Sequence, residues 1–331
     1  MRESVTRTIQ FDPLPGCQPY LNERLMRVRQ AQDGLALIEY LREFHPPTPR
    51  EHWLQWIDDG DITLNNSRVQ QDTRVRVGQR YRHAVAGYTE PPVRATIGVI
   101  YEDESLLVVD KPAPLPVHPS GRFNRNTLSS LLTSVYPHEK LRISHRLDAN
   151  TTGVVVFCRT SPAASSVQQQ FQHRQVEKFY LARVIGHVPF QTYVCELKIG
   201  TAHSVGGTDT GGARTTHDDG QPAETLFHCL NRFDDETSLL QVKPITGRTN
   251  QIRVHAAAMG FPVMGDPFYE RAFDQSDMPN VSPTQTLTLD APPMCLHAWR
   301  ISLKHPITYE NVSFESPPPV WAGDRRVIPE K

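Results

Sequence analysis

The stretch Gly98-Val99-Ile100-Tyr101-Glu102-Asp103-Glu104-Ser105-Leu106-Leu107-Val108-Val109 decides the fold. Two apolar runs, the second rich in valine, flank a short acidic turn, which predicts a β-hairpin. Downstream, Glu224 to Asn231 and Leu239 to Val242 form a second hairpin around Asp234-Asp235-Glu236, while Val154-Val155-Val156-Phe157, Val176 to Ile185 and Leu296 to Leu303 read as further strands. Helices are fewer. One covers Leu128 to Val135, one opens at Ser161-Pro162 and runs to about His173, and one covers Gln251 to Met259 and closes at Gly260. Hairpins dominate over βαβ alternation, so the predicted class is α+β with a largely antiparallel sheet.

Upstream of this region the pattern differs. Leu35, Ile38, Leu41 and Phe44 form a helical stripe ended by Pro46-Pro47, and Pro49 opens a second helix with Trp53, Leu54 and Ile57 apolar, stopping at Gly60. Ile62-Thr63-Leu64, a turn at Asn65-Asn66, and Val75, Val77 and Tyr81 around Gly78 read as a small β element. The expected organisation is an N-terminal extension over 1–25, which has three prolines and no period, a small two-helix-plus-β domain over 26–90, and a larger domain over 95–325. Thr89-Glu90-Pro91-Pro92 marks the linker.

Composition narrows the class. A chain of 331 residues suits about two domains. With 35 Lys+Arg against 36 Asp+Glu, the net charge of -1 excludes a histone-like polycation and an acidic disordered chain. No apolar run approaches the ~18 residues of a membrane span, and the first residues lack the apolar core of a secretory signal, so a cytoplasmic protein without a membrane partner is expected. Cys17, Cys158, Cys195, Cys229 and Cys295 lie far apart with no C-x-x-C pair, which argues against a disulfide framework and a structural zinc.

The neutral average hides two asymmetries. The chain has 28 Arg and 7 Lys; arginine's planar fork suits phosphate and bases, although a compositional bias of the genome produces the same ratio. From Lys111 to Leu147, the six bases Lys111, Arg122, Arg125, Lys140, Arg142 and Arg146 face one acid, Glu139. That strip is either an anion-binding face or a solvated loop balanced by neighbours in space.

Candidate chemistry clusters in three segments. His145-Arg146-Leu147-Asp148 places a carboxylate beside a guanidinium in a loop before a strand. Lys178-Phe179-Tyr180 sets a cation and a phenol on one strand face. Gly247-Arg248-Thr249-Asn250-Gln251-Ile252-Arg253 brings two arginines to a helix start. The loop Gly206 to Gly212 lacks the lysine and following helix of a phosphate cradle and reads as mobile, and His203, His217 and His228 lack metal-site spacing.

These segments, with Val109-Asp110-Lys111-Pro112, Val117-His118-Pro119 and Gly265-Asp266-Pro267-Phe268-Tyr269, resemble in order the RluA-type branch of the pseudouridine synthases over about residues 97–303. The 33–82 module looks like the RNA-binding domain of small-subunit ribosomal protein four. The resemblance implies a cofactor-free, metal-free RNA-uridine isomerase, expected to be a monomer, with ribosomal RNA as favoured partner and transfer RNA as alternative. It makes Asp148 the catalytic carboxylate, acting at the ribose as nucleophile or base, with Arg253, or Arg248 as second choice, as its partner. It also makes Tyr180 the stacking and proton-transfer group and Arg146 the side chain that fills the space of the flipped base. His145, Lys178, Arg248, Lys111, Arg122 and Arg142 are the remaining substrate-binding candidates. Two departures stand out: Asn250 replaces the usual histidine, and Ala149-Asn150-Thr151-Thr152-Gly153 replaces the usual Arg-Asp/Glu-Thr-Ser-Gly. The rival readings are a catalytically silent RNA-binding or ribosome-assembly factor, and a carboxylate glycosidase, which the scarcity of acids beside Asp148 disfavours.

Overall fold

The structure is a computed structural model; it describes residues 5–46, 48–201, 214–270, 285–324 and 328. The chain divides into two compact units, residues 16–90 and residues 1–15 with 91–331. The expected N-terminal extension over 1–25 is corrected on this point. Strand β1 (Arg7–Gln10) is an edge strand of the larger unit's sheet, and Ile9 is buried in its core. A four-residue edge strand with one buried side chain is too short to show a period in sequence.

The smaller unit comprises β2 (Tyr20–Arg27), α1 (Leu37–Phe44), α2 (Arg50–Asp59), β3 (Ile62–Leu64), β4 (Ser67–Arg68) and β5 (Arg80–Tyr88), with sheet order β2-β5-β3-β4. Of the predicted stripe, Ile38 and Leu41 are buried, Leu35 is partly buried and Phe44 is exposed; the first three, with Leu37, pack against Trp53 and Ile57 of α2 and Met26, Ile62 and Tyr81 of the sheet. Asn65 and Asn66, with φ of 52° and 62°, make the turn between β3 and β4. Val75 is buried as expected, yet strand pairing begins only at Arg80.

The larger unit continues with β6 (Thr96–Glu102), β7 (Leu106–Lys111), α3 (Leu128–Val135), β8 (Arg142–Ile143), β9 (Thr152–Cys158), α4 (Ser161–Gln172) and β10 (Glu177–Ile185). Then follow β11 (Thr192–Cys195), β12 (Ile199–Thr201), β13 (Arg214–Thr216), β14 (Thr225–Phe233), β15 (Thr237–Pro244), α5 (Gln251–Ala258), β16 (Leu296–Lys304) and β17 (Asn311–Glu315). The main sheet runs β1-β6-β7-β9-β16-β10-β15-β14-β11, with β8 added to β9 and β17 to β16. It is the mixed, mostly antiparallel sheet expected for the α+β class. The hairpin at 98–109 forms as β6 and β7, and Thr160, one residue before the expected Ser161, caps α4.

The exception to antiparallel pairing among the described strands is central. β9 and β16 pair in parallel over Thr152↔His297 and Gly153↔Ala298, then fork, β8 taking the free side of β9. Gly153 has φ +110°, and a Cβ there would lie 2.2 Å from the Ala298 carbonyl oxygen, so only glycine allows the approach. Each face of the sheet carries a core. Leu107, Val109, Val155 and Phe157 point to the face covered by α3, and their neighbours Leu106, Val108, Val154 and Val156 to the face covered by α4. Strands buried on both faces explain the unbroken apolar runs. On the α3 face a second cluster lies under α5, and Tyr180 packs against both clusters.

Candidate active site

Between those clusters opens a cavity of about 1000 Å³. Asp148, Tyr180, Arg253, Arg146, His145, Lys178, Arg248 and Arg122 all line it. Four separate parts of the sequence therefore converge on one place, because the β9–β16 crossing sets the Asp148 loop beside β10. Gly153 opposes Ala298 on β16, and Ala298 opposes Tyr180 on β10.

The loop carrying Asp148 is held from both sides. Leu147 is buried in the α3-side core, and the Ala149 carbonyl accepts from Leu115 N at 2.9 Å and Lys111 Nζ at 3.1 Å. Asn150, one of the two departures, is buried: its Nδ2 donates to Gln285 O at 2.8 Å and its Oδ1 accepts from Leu287 N at 2.9 Å. The amide serves as donor and acceptor at once, which a carboxylate does not do.

Arg253 on α5 is the partner of Asp148, its Nη1 donating to Oδ2 at 3.0 Å; Arg248 instead donates through Nε to Pro222 O at 3.0 Å. The same guanidinium forks onto Asp266, Nε to Oδ2 at 2.6 Å and Nη2 to Oδ1 at 2.8 Å, and lies 5.0 Å from the Tyr269 ring centre. Asp266 Oδ1 accepts in turn from the Phe268 and Tyr269 amides at 3.0 Å. Arg253 is 2% exposed on its side chain and Asp148 35%, so the cation is buried and the carboxylate faces the cavity. Burial opposes the charge on Arg253, but the Asp266 hydrogen bonds and the charges of Asp266 and Asp148 outweigh it and raise its pKa.

Tyr180 is pushed above the ordinary phenol range by burial and then by the charge of Asp148, so it keeps its proton at neutral pH. Lys178, two residues away on the same strand face, is pulled below the usual lysine range by burial. Arg146 is exposed at the cavity mouth, its Nη1 donating to His118 Nε2 at 3.1 Å. Burial first, then Arg146, lowers the pKa of His118, which suits the accepting neutral ring. Arg122 is also exposed, its guanidinium 5.7 Å from the Phe123 ring centre.

Two expected substrate contacts, Lys111 and Arg142, do not line the cavity, and a third, His145, lines it with its ring engaged by the protein. Lys111 is fully buried, with Nζ donating to the carbonyls of Pro112 at 2.9 Å, Leu115 at 2.9 Å and Ala149 at 3.1 Å. Burial lowers its pKa to about 7 despite Asp148 and Asp110. It braces the Asp148 loop through Ala149 O and does not line the cavity. Arg142 donates to Lys140 O and Arg159 O and does not line the cavity. His145 lines the cavity, but its Nε2 accepts from Val156 N at 3.2 Å and its ring lies against Phe171; burial, then Lys178, lowers its pKa to about 3. It anchors the loop as a neutral ring. Net charge in sequence could not separate these from Arg122 and Arg146, because it does not say which way a side chain faces.

The loop Gly206 to Gly212 and His203 lie outside the described residues. Sequence reasoning assigned no role to Asp266, Tyr269 and His118, although they sit within the segments carrying the resemblance; an acid that pairs with a buried arginine has no local signature. None of the five cysteines forms a disulfide, and Cys158, Cys195, Cys229 and Cys295 are buried.

Comparison with known proteins bears on this site. The family described as RNA pseudouridylate synthase matches residues 105–258, which include the Asp148 loop, Tyr180 and Arg253. The chain is 32% identical over 295 residues to a protein of Nitrosomonas europaea named ribosomal large subunit pseudouridine synthase D, covering 86% of this chain and 82% of that one. It is 30% identical over 264 residues to the Saccharomyces cerevisiae mitochondrial tRNA pseudouridine(32) synthase, covering 78% of this chain and 55% of the yeast protein. Several curated relatives are longer, and the chain spans about half of their length or less. Among solved structures, human RNA pseudouridylate synthase domain containing 1 is similar with a TM-score of 0.53 and 28% identity, over 67% of this chain and 83% of that one.

Proposed function

The chain belongs to the RNA pseudouridylate synthase family, and on that premise we propose that it isomerises specific uridines in RNA to pseudouridine, with Asp148 as the catalytic carboxylate. The observation that carries the reading is the Asp148 carboxylate, facing the cavity beside Tyr180 and held by the buried Arg253. The reaction breaks the bond from uracil N1 to the ribose anomeric carbon and forms one from C5; a proton leaves C5 and N1 gains one, so no oxidant or external nucleophile is consumed. Asp148 acts at the ribose, as nucleophile on the anomeric carbon or as base at the neighbouring carbon, easing an oxocarbenium-like transition state. Tyr180, protonated and flanked by apolar side chains, provides the face on which the base stacks, a contact worth ~1–3 kcal/mol in related settings. Arg146, at the mouth of the cavity, fills the space left by the flipped base, and Arg122, Arg248 and Lys178 receive flanking phosphates.

Ribosomal RNA is the favoured substrate and transfer RNA the alternative. The name of the Nitrosomonas relative supports the first and that of the yeast relative the second. The 16–90 unit is read as an RNA-binding module like that of small-subunit ribosomal protein four; its two consecutive helices, packed on a small four-stranded sheet, support this. Nothing in the site favours a catalytically silent RNA binder. The test is to incubate the protein, and an Asp148→Ala variant, with ribosomal and transfer RNA lacking the modification, and to map pseudouridine. Formation by wild type and its loss in the variant support the reading; absence of product on both RNAs overturns it.

A further inference from the structure

Asn250 occupies the N-cap position of α5 in the left-handed region, φ 56° and ψ 18°, and its side chain makes no capping hydrogen bond. Both features are costly in a buried asparagine. N-cap side chains are normally spent on the helix amides, and a non-glycine residue in this region persists where its surroundings fix it. Here the neighbouring Gln251 closes the helix start instead, accepting from Arg248 N at 2.9 Å and from Thr246 Oγ1 at 2.7 Å.

The Asn250 side chain is turned to Arg253. Its Oδ1 accepts from Arg253 Nη1 at 3.1 Å, the same nitrogen that donates to Asp148 at 3.0 Å. Its Nδ2 reaches the Tyr269 hydroxyl at 3.5 Å; that hydroxyl donates to Arg214 O at 2.9 Å and accepts from Arg214 N at 3.3 Å, so it meets the amide as an acceptor. This fixes the orientation of the amide, since the opposite one would set an NH₂ group against the guanidinium. Asp266 fixes the far edge of Arg253 through Nε and Nη2, and Asn250 fixes the near edge.

Resting on the proposed reaction, we infer that Asn250 is a positioning residue. By taking one hydrogen of Arg253 Nη1 it leaves the other aimed at Asp148, and so sets where the reactive carboxylate points. Among the described residues, Arg253 from α5, Lys111 from β7 and Tyr180 from β10 interact with the charge of Asp148, Asp266 and Tyr269 lie beyond Arg253, and His145, Arg146, Lys178 and Arg248 line the same cavity. Asn250 is the neutral acceptor in that set, and its neutrality is part of the design. A carboxylate at 250 would compete with Asp148 for the same donor.

Two variants test this. Asn250→Gly keeps the left-handed backbone at little cost and removes Oδ1; Asn250→Asp keeps the shape and adds a charge. Expected for Asn250→Gly is a roughly 3- to 30-fold lower single-turnover rate with RNA affinity and melting temperature held, and faster rotation of the Arg253 Nη1 hydrogens by ¹⁵N NMR. Expected for Asn250→Asp is a single-turnover rate at least as low as that of Asn250→Gly, with the fold retained, because the added carboxylate competes with Asp148 for the Arg253 donor. Unchanged rotation of the Arg253 hydrogens in Asn250→Gly, or rates of both variants that fall only with folded fraction, would overturn the inference. The NMR readout needs no turnover, so an inactive wild type would sink the proposed function separately.

Discussion

Arg253 and Asp148 lie 105 residues apart in sequence and meet at 3.0 Å, the guanidinium almost wholly buried and the carboxylate open to the cavity. The asymmetry has a physical origin. A buried guanidinium needs a compensating charge, and Asp266 supplies it with two short hydrogen bonds backed by the Phe268 and Tyr269 amides. Asp148 is therefore not required to neutralise the cation. It is oriented by a group already paid for elsewhere, and its carboxylate stays open to the cavity.

The β9–β16 crossing is sterically limited at Gly153. Gly153→Ala places a methyl 2.2 Å from the Ala298 carbonyl oxygen at a φ of +110°. Equilibrium denaturation should show a loss of more than about 3 kcal/mol, or no folded protein. Near wild-type stability would mean that the strands can separate and that the crossing does not set the site.

Arg146 is held at the cavity mouth by His118. If it fills the space of an extruded base, Arg146→Ala should lower kcat/KM on a structured stem-loop by roughly 10- to 100-fold, the equivalent of the few kcal/mol that flipping costs. The loss on an unstructured oligonucleotide should be much smaller. Equal losses would assign Arg146 to phosphate binding.

Stability should depend on pH through His145, whose folded-state pKa is about 3 against about 6.5 in the unfolded chain. Between these values the unfolded chain binds the proton and the folded one does not, so stability is present above pH 6.5 and is lost as pH falls toward 3. His297, with a pKa of about 4 through burial, acts in the same direction. Each contributes at most ~1.4 kcal/mol per pH unit. Melting temperatures at pH 7, 6 and 5 should fall less steeply in His145→Gln, whose amide oxygen can still accept from Val156 N; parallel slopes would assign the acid sensitivity to other groups.

The 16–90 unit can be excised cleanly, because its ends meet: Glu90 N donates to Gly16 O at 2.8 Å. Joining residue 15 to residue 91 with a short Gly/Ser linker keeps β1, which a simple truncation at 90 would remove. RNA affinity and its salt slope should fall while single-turnover chemistry holds. A matching fall in chemistry would show that the unit helps to build the site.

The sequence by itself determined the strand-rich α+β class, the two-part organisation and the loop that carries Asp148. These rest on short-range patterns: alternation, helical stripes, prolines and a few ordered motifs. Only the tertiary structure decided the rest. Lys111, Arg142 and Arg146 stand in one basic strip, yet one braces a loop, one caps backbone carbonyls and one faces the cavity. Likewise, Arg253 and not Arg248 reaches Asp148, and Asn250 turns from its helix to hold that arginine. Charge and propensity are properties of a residue and its neighbours in the chain. The direction of a side chain and the partner it meets are set by which strands cross, and beside Asp148 the crossing is that of β9 and β16, where Gly153 meets Ala298.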